Sequence, residues 1–240
     1  MLQYFPESII INKVSIRGKG ADLMAQSNYR KNSKISKAVI SRLPRYYRYL
    51  GDLIEEGVEK ISSEELSRRM KTTASQIRQD LNNFGEFGKQ GYGYDVVTLY
   101  EEIRSILGIG ASIPLIVIGS GNLGRAIVKY PNFETQGFHF VGMFDVDKNI
   151  CGKKVSGIMI RDISELELFL KKHEVEIAAI TVPKEAANEI AEKLYALGIR
   201  YFWNFAHADL NLPNDAIIKN VNLADSLFEL SYSISLKEKK

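Results

Sequence analysis

The 240-residue chain predicts an α/β protein in two parts, a helical N-terminal part and a parallel sheet covered by helices, with one more helix at the end. Three observations carry this. A glycine-rich turn, Gly119-Ser120-Gly121-Asn122-Leu123-Gly124, joins the apolar run Leu115-Ile116-Val117-Ile118 to the helical pattern from Arg125. Beyond it, short apolar runs alternate with helical ones, the rhythm of parallel strands and crossover helices. Before it, successive helical patterns end in Lys89-Gln90-Gly91-Tyr92-Gly93-Tyr94, which reads as the turn of a β-ribbon.

Residues 1–33 show no sustained period and read as an extension, either a flexible arm or a segment ahead of a later start such as Met24. From Ser36 the spacing of Ile40, Leu43, Tyr47, Leu50 and Ile54 predicts a helix with one apolar stripe. Pro44 places the start of its main part there, and Gly57 ends it. Ser62 and Glu65 form a capping box for a second helix through Met70. A third runs from about Thr73 to Asn83 with Ala74, Ile77, Leu81 and Phe84 inward. Its other face presents Ser75, Gln76, Arg78, Gln79 and Asn82, side chains suited to base edges and phosphates in a major groove, with Arg78 as the one cation. Helix, tight turn, polar-faced helix and ribbon in that order predict a winged helix-turn-helix. Lys89, Gln90 and Gly91 form its wing tip, which meets a phosphate backbone. Val97 to Leu107 is a linker helix, and the composition changes near residue 110.

The central turn has the form G-x-G-x-x-G between strand and helix, where bare N–H groups receive a pyrophosphate. The run Phe140-Val141-Gly142-Met143-Phe144 ends at Asp145, 21 residues past Gly124, where a Rossmann unit places the acid that hydrogen-bonds a ribose. Gly119, Gly121, Asn122, Leu123, Gly124, Asp145, Val146 and Lys148 are therefore read as dinucleotide contacts. An acid at 145 repels a 2′-phosphate and favours NAD(H), and Lys148 alone pulls the other way. Further strands are expected at Val155 to Ile160, Ile177 to Val182, Tyr201 to Phe205 and Ile217 to Val221, with helices from Ser164 and over Lys184 to Leu197. Ligands bind beyond the carboxyl ends of such strands, which nominates Val182, Pro183, Ala206 and His207 as pocket walls. Asn222 to Leu236 is an amphipathic helix that either packs on its own sheet or docks on a partner subunit.

The composition, 45% hydrophobic and 25% charged, is that of an ordinary globular protein. No window is apolar for the eighteen or so residues of a membrane span, and the start lacks a signal-peptide pattern, so a cytoplasmic protein without a membrane partner is expected. The single Cys151 fits a reducing compartment; it is either a packing residue or a thiol sensor. Residues 1–110 carry 17 basic and 13 acidic side chains, against 15 and 16 in the remainder. Between Arg30 and Tyr49 seven cations meet no acid, which favours a polyanion partner.

This order of features resembles the Rex family of redox-sensing transcriptional repressors from about residue 34 to the end. The resemblance is carried by Ile40-Ser41-Arg42-Leu43, Tyr49-Leu50, Gln76 to Leu81, Phe84 to Gly88 running into Gly91 to Tyr94, Gly119 to Gly124, Tyr130-Pro131, Phe144 to Asp147, Thr181 to Pro183 and Asn204 to Ala206. It implies a homodimer with a swapped C-terminal helix that binds palindromic double-stranded operator DNA, with Arg42 among the contacts, and leaves it when NADH accumulates over NAD. It also implies a ligand-dependent clasp of Arg48, Tyr130 and an acid at the start of the swapped helix. Here that position is Asn222, with Asp225 nearly one turn on. Gln90 and His207 stand where the family usually has Arg and Pro. The chain is thus divided into an extension over 1–33, a winged-helix domain with its linker over 34–109, an NAD(H)-binding Rossmann domain over 110–221 and a dimerisation helix over 222–240. No catalytic or metal site is expected; the competing reading is an NAD-dependent oxidoreductase with an N-terminal extension, using His207 as acid/base.

Overall fold

The computed structural model describes residues 36–82, 88–89 and 93–237; the expectations for residues 1–33 and for Gln90 and Gly91 lie outside these. Two compact units divide between Ile103 and Arg104.

The first unit opens with helix α1 (Lys37–Glu55), capped by the Ser36 hydroxyl, which accepts from Val39 N. Pro44 lies inside α1 rather than at its start. The helix runs through the proline because its buried face, Val39, Leu43, Tyr46, Leu50 and Leu53, is continuous across it. That face is turned one residue from the predicted stripe: Ile40 and Ile54 are 40% and 37% exposed. Both stripes share Leu43 and Leu50 and have helical spacing, so the partners of two adjacent tyrosines decide between them. Tyr46 reaches a buried carboxylate, while Tyr47 stacks on Tyr100 at 4.5 Å.

Strand β1 (Lys60–Ile61) leads to α2 (Ser63–Met70), whose N-cap Ser62 accepts from Glu65 N. Lys71 ends α2 in the left-handed conformation (φ 49°), and the Thr73 hydroxyl caps α3 (Ala74–Leu81) within two residues. Strands β2 (Gly88–Lys89) and β3 (Gly93–Asp95) make an antiparallel ribbon, with β1 on the far side of β3. Helix α4 (Val96–Ile106) follows, with Val96, Leu99 and Ile103 buried.

The second unit is built on a seven-stranded sheet. Its strands are β4 (Ile113–Ile118), β5 (Phe138–Asp145), β6 (Lys154–Val155), β7 (Ile158–Asp162), β8 (Ile177–Ile180), β9 (Tyr201–Asn204) and β10 (Ile217–Asn220), in the order β10-β9-β8-β4-β5-β7-β6. All pairs are parallel except β6 with β7. The run from Val155 to Ile160 is therefore not one strand but a hairpin. Ser156 (φ 47°) and Gly157 (φ 84°) make its turn, the pair of positive φ values a two-residue hairpin needs. The fold is α/β and Rossmann-like: β4 lies at the centre, and the chain crosses to β5 on one side and to β8 on the other, which opens a crevice beyond its end.

Helices α5 (Asn122–Lys129), α6 (Asn132–Thr135), α7 (Leu166–Leu170) and α8 (Lys184–Ala196) connect the strands. Two apolar cores form, one on each face of the sheet: one gathers Ile116, Ile118, Phe144, Phe169, Ala187 and Leu194, the other Leu115, Val117, Ile127, Phe140 and Met143. The alternation of adjacent β4 residues between them is the period of a strand buried on both faces. The last helix, α9 (Asp225–Lys237), is different. Leu227, Phe228, Leu230, Tyr232 and Ile234 are each 59–67% exposed, so α9 does not pack on the sheet of its own chain. Among the described residues no helix is long and apolar enough to cross a membrane.

Candidate cofactor pocket and nucleic-acid face

The carboxyl ends of β4, β5, β8 and β9 surround a cavity of about 680 Å³. Its floor is the turn after β4. Gly119 takes φ 97°, and a Cβ there would stand 2.7 Å from Thr181 O. The Thr181 hydroxyl donates toward Ile118 O (3.0 Å) and Gly119 O (2.7 Å), tying the turn to the end of β8. Gly124 packs on the same turn, so that a Cβ would collide with Gly119 O. Gly121 is the opposite case: a Cβ there would meet nothing within 4 Å, and the residue lines the cavity. It caps α5 without a side-chain bond, and the first N–H groups of a helix have no acceptor within it. An open space before bare donors at a helix start fits a phosphate.

Asp145 closes one side. Its Oδ2 accepts from Ser120 N (2.5 Å) and its Oδ1 from Asp147 N (2.9 Å), which holds the carboxylate on the cavity wall with lone pairs left for a ribose. Val146, Val182, Pro183, Phe205, Ala206 and His207 line the rest together with Leu123. Three residues read as contacts are not on this wall. The Asn122 side chain accepts from Arg125 Nη2 (3.0 Å), Gly124 is buried beneath the turn, and Lys148 acts on Asp162, whose carboxyl is held below its usual range by Ser164 first and by Lys148 after it.

The sequence reading missed the face of α8 that completes the cavity: Ala186, Glu189, Ile190 and Lys193, with Lys184 before them. Their i, i+3, i+4, i+7 spacing was a visible signal. Which of its faces a covering helix turns to a crevice depends on the sheet beneath it.

In the first unit, Ser75, Arg78, Gln79 and Asn82 are exposed and Gln76 half-buried on α3. Arg78 Nη1 donates to the Ser63 hydroxyl (2.8 Å), and its charge opposes the burial that raises the Tyr94 pKa. Lys89 ends β2, opposite Gly93. On the inward side of α3 itself is Asp80, fully buried. Arg42 donates to both of its oxygens (2.7 and 2.6 Å), Tyr46 Oη to Oδ2 (2.9 Å) and Gln76 Nε2 to Oδ1 (2.8 Å). Arg42 and Gln76, both read as DNA contacts, are thus held from inside the domain. Asp80 was missed, although a carboxylate on the Ile77–Leu81 apolar side implied a buried cation partner.

Residues 34–82 match the family model "Putative DNA-binding protein N-terminus" and residues 112–208 the model "CoA binding domain". The redox-sensing transcriptional repressor Rex of Thermoanaerobacter pseudethanolicus is 47% identical over 208 residues, 87% of this chain and 93% of that protein. The Rex of Clostridium novyi is 49% identical over 205 residues, 85% and 98% of the two chains. The chain belongs to the Rex family of redox-sensing transcriptional repressors. Among solved structures, the Rex-family repressor RSP bound to β-NAD⁺ and operator DNA superposes with TM-score 0.81 at 46% identity, covering 86% of this chain and 95% of that one. RSP bound to β-NADH gives 0.79 at 43%, covering 86% and 97%. These relatives are transcriptional regulators.

Arg48 lies on α1 of the first unit, and Tyr130, Asn222 and Asp225 lie in the second. Tyr130 is half exposed beside Phe133; the Asn222 side chain accepts from Ala224 N (3.0 Å), and Asp225 begins α9. His139 pairs with Glu134 at 2.8 Å and His173 stacks on Phe169, which leaves His207 as the histidine on the cavity. Burial pushes the Cys151 thiol up, and the nearby Asp162, Asp145, Asp147 and Glu165 push it further, the reverse of what a reactive thiolate needs. Among the described residues no group of three or more His, Cys, Asp or Glu could hold a metal ion.

Proposed function

We propose that this chain is a DNA-binding transcriptional repressor that senses the NADH/NAD⁺ ratio: it holds a palindromic operator as a homodimer and is released by NADH. The observation that carries the reading is the pairing, in one chain, of a dinucleotide-shaped crevice with a capped, polar-faced α3, in a family whose members bear the name redox-sensing repressor. The solved structures of RSP with β-NAD⁺ and operator DNA and of RSP with β-NADH bear on the direction of the switch.

In this reading the start of α5 and Gly119 to Gly121 hold the pyrophosphate, and Asp145 the adenosine ribose. Val182, Pro183, Ala206 and His207 receive the nicotinamide. Bound cofactor supplies one bit of chemistry, the charge of that ring, and the chain's residues do the rest. Glycine turn and Asp145 touch parts common to both redox forms, so discrimination falls to the ring wall. An oxidised ring is a cation, and burying it beside Val182, Pro183 and Ala206 costs free energy that a neutral reduced ring avoids. On the cavity's α8 side two lysines, Lys184 and Lys193, outnumber Glu189, so that side adds no net attraction for a cation. Ser75, Arg78, Gln79 and Asn82 meet the major groove, with Gln76 held on Asp80 behind them, Lys89, Gln90 and Gly91 meet the backbone, and the exposed apolar α9 meets the second subunit. A ligand shifts such a dimer only by binding its two states unequally. The protein acts in the cytoplasm, and NADH is its signal rather than its substrate.

Titrating a palindromic operator complex with NADH and with NAD⁺ in a band-shift assay tests this. Release at lower NADH than NAD⁺ is expected; equal responses to the two forms refute it.

A further inference from the structure

We infer that Asn204 and Asn220 form the link through which the wall of the cofactor cavity sets the root of the C-terminal helix. This rests on the reading that a nicotinamide ring seats against that wall and that α9 joins the two subunits.

Asn204, the last residue of β9, is 1% exposed. A buried primary amide must find partners for two hydrogens and a carbonyl, and here each is used. Nδ2 donates to Ala208 O at 2.8 Å and to Asn220 Oδ1 at 2.9 Å, and Oδ1 accepts from Ala206 N at 3.0 Å. The first and last of these bonds grip the loop that carries Phe205, Ala206 and His207 along the cavity. The middle one leaves the loop and crosses to the edge strand. One side chain therefore spans the ligand wall and the end of β10.

What lies beyond Asn220 gives the link its consequence. Asn220 sits beside Asn204 in the parallel register, and the next residue, Val221, donates its N–H to Asn204 O at 2.8 Å. Asn222 then starts the turn into α9, accepting from Ala224 N through its side chain and from Asp225 N through its carbonyl. From Asp225 to Leu236 every residue is exposed, so nothing along α9 anchors it to its own unit and its direction is set at this root. A ring pressing on Phe205 and Ala206 turns the Asn204 amide, and the bond to Asn220 carries that turn to the root. Asn204, buried with both hydrogens and its carbonyl engaged, is the rigid member of this chain of bonds, and Asn220 is its outlet at the surface.

Asn220 is exposed, so Asn220→Ala removes one acceptor and leaves the grip on Ala206 and Ala208. Asn220→Asp restores an oxygen at the same place. Both are made in the full-length protein. Operator affinity with and without saturating NADH, and NADH affinity without DNA, are measured for each. In Asn220→Ala the two separate affinities stay within about twofold of the parent, while the factor by which NADH weakens operator binding falls about two- to tenfold, the span of one net hydrogen bond. Asn220→Asp recovers that factor. An unchanged factor in Asn220→Ala overturns the inference, and so does a fall that Asn220→Asp fails to recover. If NADH does not weaken operator binding by the parent chain, the functional reading falls and the inference with it.

Discussion

The buried Asp80 cluster makes a prediction whose asymmetry follows from exposure. Arg42 and Asp80 pair at 2.6 Å, yet the side chain of Arg42 is 37% exposed and that of Asp80 1%. Removing the arginine strands a buried carboxylate. Such a loss costs about 3–5 kcal/mol, and because water reaches the Arg42 side the lower end, about 3 kcal/mol, is expected for Arg42→Met. Removing the acid instead frees a guanidinium that turns into water, and the principal loss is the partner of the Tyr46 hydroxyl, 1% exposed, about 2 kcal/mol for Asp80→Ala. With both changed, no buried charge remains. The double variant should then cost about 2 kcal/mol, less than Arg42→Met alone and about 3 kcal/mol below the additive sum.

Hydrogen exchange of the α1 and α3 amides reads this unit without the Rossmann sheet. Additive costs, or Asp80→Ala costing more than Arg42→Met, would refute the reasoning. The pH dependence has a definite sign. Burial pushes the Asp80 carboxyl up, but hydrogen bonds from Arg42, Tyr46 and Gln76 outweigh it and leave its pKa below the ordinary value. A depressed folded pKa contributes stability above the unfolded pKa that is lost as pH falls through the folded one. Arg42→Met should therefore lose α1 and α3 protection at a higher pH than the parent chain.

Two glycines of one turn should fail in different ways. Gly121→Ala meets no neighbour, so thermal stability without cofactor should be unchanged, while NADH affinity measured by calorimetry drops about tenfold or more as the Cβ enters the phosphate space. Gly124→Ala collides with Gly119 O and should lower the melting temperature without any ligand; equal behaviour of the two would contradict the geometry. Deleting residues 223–240 removes the exposed apolar α9 and should yield a monomer by sedimentation, whereas a soluble dimer would show that the subunits join elsewhere.

Much of the fold was legible because it rests on local chemistry. The Ser62 cap, the Lys71–Thr72 turn, the glycine turn between strand and helix, and the distance to Asp145 are set within a few residues or by one crossover, so their signals survive in a linear string. Other features were settled between residues far apart. The stripe of α1 had two helical solutions, and the choice of Tyr46 over Tyr47 came from Asp80, 34 positions on. Pro44 is an ordinary helix-start signal, overridden by a core that continues across it. The hairpin at Ser156-Gly157 reads as one apolar run until the twist and edge of the sheet give its first strand a place.

The site divides the same way. By itself the sequence determined which chemistry is present: a turn for phosphates, an acid for a ribose, a polar helix face after a tight turn, and an apolar last helix. Tertiary structure alone decided which of these groups are engaged from inside. It took Arg42 and Gln76 into the Asp80 cluster, moved Lys148 off the cavity, brought Glu189 and Lys193 onto it, and joined Asn204 to Asn220. The physical reason is that local backbone preferences are properties of neighbours in the chain. The partner of a buried polar group is whatever donor or acceptor packing brings within 3 Å, and packing is settled by the whole fold at once.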